Sequence, residues 1–270
     1  MKKAGNLFIF IALMLFASAC SKDSSDHTYG DYIKSVSENG SIVQKFIYDE
    51  SGKIVEENSF YNFRKFIYDE NERLVKIESA WDRSLLSSSM PVQRTEFMTS
   101  KNSPVDSYRL YEYDEEGRLS KIENYSDVVS GIIELRSVSI FEYEWKNIVR
   151  VNLLNPENNQ ITQFHVYTYD DYGNVINEKH YSNLFDRNEE LIRETFYKYD
   201  SYNNPFRIFY LTGSPGIYTN VNNIIETRSI LHLDVLGIDK YSTEKRTFKY
   251  NSKGYPIKEI TENGEFEYHY

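Results

Sequence analysis

The sequence predicts an all-β protein: an antiparallel meander of about sixteen to eighteen short strands, soluble, and strongly curved or closed into a barrel. Three observations carry this expectation. A motif of the form aromatic-x-Tyr-Asp-x-x-Gly-x-hydrophobic recurs along most of the 270 residues. The chain holds 24 tyrosines and 16 phenylalanines, rings that favour strands. No window keeps apolar residues at 3.6-residue spacing for three turns, so no helix is expected.

Residues 1–19 read as a signal peptide. Lys2 and Lys3 precede an apolar run from Leu7 to Phe16, and Ala17-Ser18-Ala19 supplies small residues before Cys20. The run is too short for a membrane span. Cys20 is the only cysteine, and its place resembles the lipobox of bacterial lipoproteins, which implies acylation at Cys20. Ala17 stands where that motif usually has leucine, and ordinary cleavage after Ala-Ser-Ala is the alternative. Residues 20–30, "CSKDSSDHTYG", are polar and acidic and read as a flexible tether. They resemble the surface-export signal of Bacteroidetes lipoproteins. The expected location is the outer membrane, lipid-anchored and surface-exposed, with a periplasm-facing orientation as the alternative.

Residues 31–270 remain as a single β domain. Without a second cysteine no disulfide supports it, so burial must. The net charge of −10 over all 270 residues, more negative still without Lys2 and Lys3, argues against nucleic acid and anionic lipid as partners.

Copies of the motif are "FIYDESGKI" (46–54), "FIYDENERL" (66–74), "YEYDEEGRL" (111–119), "FEYEWKNIV" (141–149), "YTYDDYGNV" (167–175), "YKYDSYNNP" (197–205) and "FKYNSKGYP" (248–256), and the chain ends on "FEYHY". The aromatic-x-Tyr pair puts two rings on one face of a strand. An Asp then opens a type I turn, its carboxylate accepting from the N–H two residues on. The fourth residue after Tyr takes the left-handed conformation of a bulged hairpin. The expected turn residues are therefore Asp49, Gly52, Asp69, Asp114, Gly117, Asn147, Asp170, Gly173, Asp200, Asn203 and Gly254. Asparagine replaces glycine in two copies because it tolerates the left-handed region next best. In the second copy Glu72 occupies the place, and Asn71 is expected to take the conformation with a shifted register.

"YEYDEEGRL" resembles the YD repeat of RHS-type proteins. The whole chain resembles the secreted Bacteroidetes lipoproteins grouped as a domain of unknown function with a porin-like fold. That resemblance implies architecture and location, not activity.

Between copies lie longer connections such as "SKNSPV", "NPENNQ" and "LTGSPGIYTNVNN", so one end of the sheet has tight turns and the other long loops. Pro205 and Pro256 fall where a strand can begin with proline. An outer-membrane barrel has the same layout. The strand "ELIRETFYKY" (190–199) argues against it, since Arg193 is on one face and Glu190, Glu194 and Lys198 are on the other.

Enzyme and metal motifs are absent: there is no Gly-x-Ser-x-Gly, no His-Glu-x-x-His and no phosphate loop. His165 and His180 flank one hairpin and are expected to form a cross-strand structural pair. No cofactor, metal or catalytic residue is expected. The function expected is that of a non-enzymatic envelope lipoprotein binding a glycan or a protein ligand. Tyr111, Tyr113, Tyr167, Tyr169, Tyr197 and Tyr199 are the candidate ligand platform. The alternative is a hydrolase of a glycan or envelope polymer using paired carboxylates.

Overall fold

A computed structural model describes residues 32–82, 95–127, 131–145, 147–183, 189–212, 215, 219–233 and 238–270. The signal peptide, Cys20 and the tether lie outside the described residues. The strands are β1 (Ser35–Glu38), β2 (Ser41–Tyr48), β3 (Ile54–Ser59), β4 (Asn62–Tyr68), β5 (Leu74–Trp81), β6 (Ser107–Tyr113), β7 (Leu119–Ser126), β8 (Glu134–Trp145) and β9 (Ile148–Leu154). There follow β10 (Ile161–Tyr169), β11 (Val175–Ser182), β12 (Glu190–Asn203), β13 (Asn222–Leu233), β14 (Ile238–Lys245), β15 (Thr247–Tyr250), β16 (Pro256–Thr261) and β17 (Gly264–His269).

All belong to one 17-stranded antiparallel sheet. Each strand up to β14 pairs with the next, and β1 pairs with both β2 and β17. β14 and β15 are one run broken at Arg246, whose N–H donates to Ile225 O at 2.9 Å. The sheet thus curls into a nearly closed barrel, which leaves almost no free edge.

Period-two alternation sorts the wall into two faces. The inner face carries Val36, Phe46, Phe66, Ile77, Tyr111, Ile122, Phe141 and Tyr268, all in one buried cluster. The outer face carries ion pairs in mid-strand: Lys76 with Glu78 (2.8 Å), Lys121 with Glu123 (2.9 Å) and Lys198 with Glu226 (2.8 Å). A bilayer-facing wall would need an apolar band there, since Lys or Arg at mid-membrane costs about 2–4 kcal/mol. No helix among the described residues is long and apolar enough to cross a membrane. On the outside, Phe97 stacks on Phe60 at 4.4 Å, and Met98 closes a small buried cluster with Phe63 and Ala80.

The sixth motif copy departs from the pattern. No turn forms at Asp200, and β12 runs on to Asn203, which pairs with Asn222. Pro205 then opens a 3-10 helix, Pro205–Thr212, instead of a strand. The reason is burial. Phe209 is 1% exposed and packs against Phe46 and Phe66, while Phe206 meets Tyr268 edge-on. The helix is a plug inside the barrel, and Tyr111 on the far wall donates its hydroxyl to Thr212 O at 3.4 Å. Asparagines fasten the returning chain. Val175 N–H donates to Asn220 Oδ1 (2.8 Å), and Asn174 Oδ1 accepts from Val221 and Asn222 N–H (2.9 and 3.0 Å).

Candidate functional site

The tight turns close one end of the barrel as their chemistry dictates. Asp49, Asp69 and Asp170 each accept on Oδ1 from the N–H groups two and four residues on, at 2.8–3.0 Å. Asp114 accepts from Arg118 N–H at 2.7 Å. Asn251 makes the same pair of bonds with its amide oxygen, both at 3.0 Å. Gly52, Gly117, Gly173 and Gly254 have φ between 78° and 91°.

Four expected turn positions are corrected. In the second copy the left-handed residue is Glu72, φ 66°, and not Asn71. Glu72 N–H donates to Asp69 O and Asp69 N–H to Arg73 O, so the hairpin's bond pattern dictates the fourth position whatever residue occupies it. Asn147 does not hold the motif's fourth turn place, because Trp145 pairs with Ile148 and the connection there is two residues long. Asn203 is in β12 and not in a turn, and its N–H donates to Gly254 O at 3.0 Å. Asp200 instead holds Tyr202 and Asn223 N–H (2.9 and 3.1 Å) and accepts the Tyr250 hydroxyl.

The six platform tyrosines all point into the barrel, so they do not form an outward face. Tyr111 and Tyr167 are buried. Tyr113 and Tyr199 donate to the backbone oxygens of Leu74 (2.8 Å) and Val175 (2.5 Å), and Tyr197 donates to Glu178 Oε2 (2.7 Å). Burial pushes Tyr113 and Tyr169 up to about 12 and Tyr111 above its usual range.

Two residues before each motif's first aromatic, on the same inner face, stands a polar residue: Gln44, Arg64, Arg109, Ser139, His165, Thr195 and Arg246. These form a polar tier above the aromatic tier. Most have partners within the wall. Glu57, 5% exposed, bonds Arg64 Nε at 2.6 Å and Gln44. Thr195 meets Ser229 at 3.2 Å. Arg246 Nε bonds Glu244 Oε1 at 3.0 Å.

His165 centres a second cluster. It pairs across the strands with His180, rings stacked at 4.3 Å, and its Nδ1 is 2.9 Å from Glu178 Oε1. Burial alone would raise the Glu178 carboxyl, but bonds from His165 and Tyr197 outweigh it and hold the group below its ordinary range. Burial, then the charges of His165 and Arg193, push His180 down. No group of His, Cys, Asp and Glu among the described residues suits a metal ion.

Arg109 differs from Arg64 and Arg246. It faces Asn124 directly across β6 and β7, is exposed, and has no ion pair with any described residue. It lines a 220 Å³ cavity between the wall and Pro215, with Asn124, Ser139, Phe141 and Tyr167. The sequence reading missed this polar tier, though a two-residue step back from every motif marks it.

No protein-family model matches the chain, and no curated protein does. A porin-like protein from Bacteroides vulgatus superposes over 88% of this chain and 98% of its own, at TM-score 0.52 and 11% identity. A Bacteroides fragilis protein of unknown function matches 50% of this chain and 88% of its own, at TM-score 0.34 and 12% identity. A TcdB2–TccC3 complex matches 83% of this chain and 13% of its own, at TM-score 0.26 and 13% identity. At these identities only the first likeness carries weight, and it is a likeness of fold.

Proposed function

We propose that the chain is a non-enzymatic lipoprotein of the bacterial envelope, anchored through Cys20, that binds a glycan or peptide in its barrel lumen. The observation that carries the reading is the polar tier above a sealed aromatic floor, with Arg109 inward yet open to solvent. A barrel built only for stability would fill that tier with apolar side chains, since interiors pack densely. Fold likeness to a Bacteroides porin-like protein and the lone cysteine behind Ala17-Ser18-Ala19 support the envelope location.

Glu178 argues against the hydrolase alternative. A general acid needs a raised carboxyl pKa, and the hydrogen bonds to Glu178 lower it. Glu57 is committed to Arg64.

Incubating the purified chain with glycan and peptide arrays tests this. Retention of one ligand class without product release is expected. Release of new reducing ends that Glu178→Gln abolishes would establish the hydrolase, and retention of nothing overturns the binding reading. Anchoring is checked separately: Cys20→Ala should move the protein from the membrane to the soluble fraction.

A further inference from the structure

We infer that the lumen arc around Arg109 is a site for a carboxylate-bearing sugar, one uronic acid ring. The inference rests on the lumen-binding reading above and adds the charge and size of the ligand.

Charge comes first. The chain carries 41 acidic residues against 31 basic ones, and the other two arginines of the polar tier, Arg64 and Arg246, each have a carboxylate partner. Arg109 has none among the described residues. Its cross-strand neighbour is a neutral amide, Asn124, where an Asp would have formed a pair. A guanidinium's planar fork matches a carboxylate with two parallel bonds. None of the other side chains lining the cavity is a cation, so the site suits a single negative charge better than a phosphate dianion.

The rest of the lining suits a sugar ring. Asn124 Nδ2 donates to Ser137 Oγ at 3.2 Å, which leaves its amide oxygen to accept from a hydroxyl. The Ser139 hydroxyl lines the same cavity and has no hydrogen-bond partner among the described residues, so it can donate or accept. Phe141 and Tyr167 line the cavity and give it apolar ground for the C–H side of a pyranose. The cavity's 220 Å³ equals about seven waters at ~30 Å³ each, room for one ring.

Calorimetry on the purified full chain tests this, with D-glucuronate, D-glucose and inorganic phosphate as probes. Glucuronate should bind at least about tenfold tighter than glucose, and Arg109→Gln should erase that preference. Because Arg109→Gln also risks the fold, Asn124→Asp is the second variant. Its new carboxylate sits opposite Arg109 and occupies it, so the melting temperature should hold while glucuronate affinity falls at least about tenfold. Equal affinity for glucose and glucuronate, phosphate binding as tight as glucuronate, or undiminished binding in a folded Asn124→Asp variant overturns the inference. The lumen-binding reading survives those results, and it fails with the inference only if no glycan or peptide binds at all.

Discussion

The Tyr113 hydroxyl donates to the backbone oxygen of Leu74 at 2.8 Å, joining two consecutive motif copies. Tyr113 is the second ring of the third copy and Leu74 the last residue of the second. The β5–β6 ladder stops at Lys76 and Leu110, so the phenol reaches a carbonyl that no N–H of β6 reaches. The same latch recurs from Tyr68 to Ile54, Tyr143 to Leu119, Tyr199 to Val175 and Tyr270 to Pro256, at 2.5–2.9 Å. In three of these latches the residue just before that carbonyl is basic and covers the same ring, Lys53 lying 5.8 Å from the Tyr68 centroid. Arg73 lies 5.6 Å from the Tyr113 centroid and Arg118 lies 4.5 Å from that of Tyr143. Each motif therefore holds its neighbour as well as its own turn.

Tyr113→Phe should cost roughly 0.5–1.5 kcal/mol, the net worth of a hydrogen bond. Tyr172→Phe, at a position 80% exposed, should cost close to nothing. The alkaline limb adds a check. Burial, then Tyr111, pushes Tyr113 up to about 12 from 10.0. A raised pKa contributes stability that is complete below the unfolded value and lost as pH rises through the folded one. Denaturant melts across pH 10 to 12 should show a shallower decline in Tyr113→Phe than in the parent chain.

Motifs, turns and aromatic tier were legible because each rests on local rules: period two, an Asp at the turn's first place, a left-handed fourth place. The polar tier was legible too, two residues upstream, but alternation says only which residues share a face. Which face is inside depends on closure, and that is made by β1 with β17, Ser35 against His269. "PFRIFY" after Asn204 reads as a strand opened by proline. It becomes a plug because the lumen offers Phe206 and Phe209 more burial than another edge would.

Gly117 and Gly52 separate conformation from space. Both have positive φ, but a Cβ at Gly117 meets nothing within 4 Å, while one at Gly52 comes within 2.7 Å of the Tyr32 ring. Gly117→Ala should cost about 1 kcal/mol through the backbone alone, with Gly117→Asn costing less. Gly52→Ala should cost clearly more, as Tyr32 must move off its stack with Tyr48. Glu72 runs the experiment backwards. Its φ of 66° strains an L side chain, and Glu72→Gly should gain a few tenths to about 1 kcal/mol despite losing an exposed ion pair with Lys53. Equal melting temperatures for all four variants would contradict the assignment.

Asp170 tests the turn carboxylate. Its Oδ1 takes Tyr172 and Asn174 N–H at 3.0 and 2.8 Å, and Asn251 shows that an amide oxygen does the same. Asp170→Asn keeps both backbone bonds but loses the Asn174 Nδ2 bond to Oδ2 at 3.2 Å, so it should stay within about 1 kcal/mol of the parent. Asp170→Ala should lose roughly 1–3 kcal/mol, because the half-buried Asn174 N–H is left without an acceptor. Chemical denaturation of both variants decides, and an Asn variant as weak as the Ala variant would mean that charge, not geometry, holds the turn.

His180 should set a pH dependence of its own. Its ring stacks on His165 at 4.3 Å, and its Nε2 bonds Gln163 Oε1 at 3.0 Å. Glu178 also faces the pair, but burial and the nearby charges of His165 and Arg193 prevail and lower the His180 pKa from 6.5. The unfolded chain takes up its proton first as pH falls through about 6.5, so stability declines from there down to the lower folded value. Glu178 acts in a separate window. Its lowered pKa contributes stability that is present above about 4.5 and lost as pH falls through the folded value. Melts between pH 7 and 5 should therefore show a decline that His180→Asn flattens and Glu178→Gln leaves in place. Below about pH 4.5 the roles reverse, and Glu178→Gln is the variant with the flatter curve. A decline between pH 7 and 5 that persists unchanged in His180→Asn would assign that titration to another group.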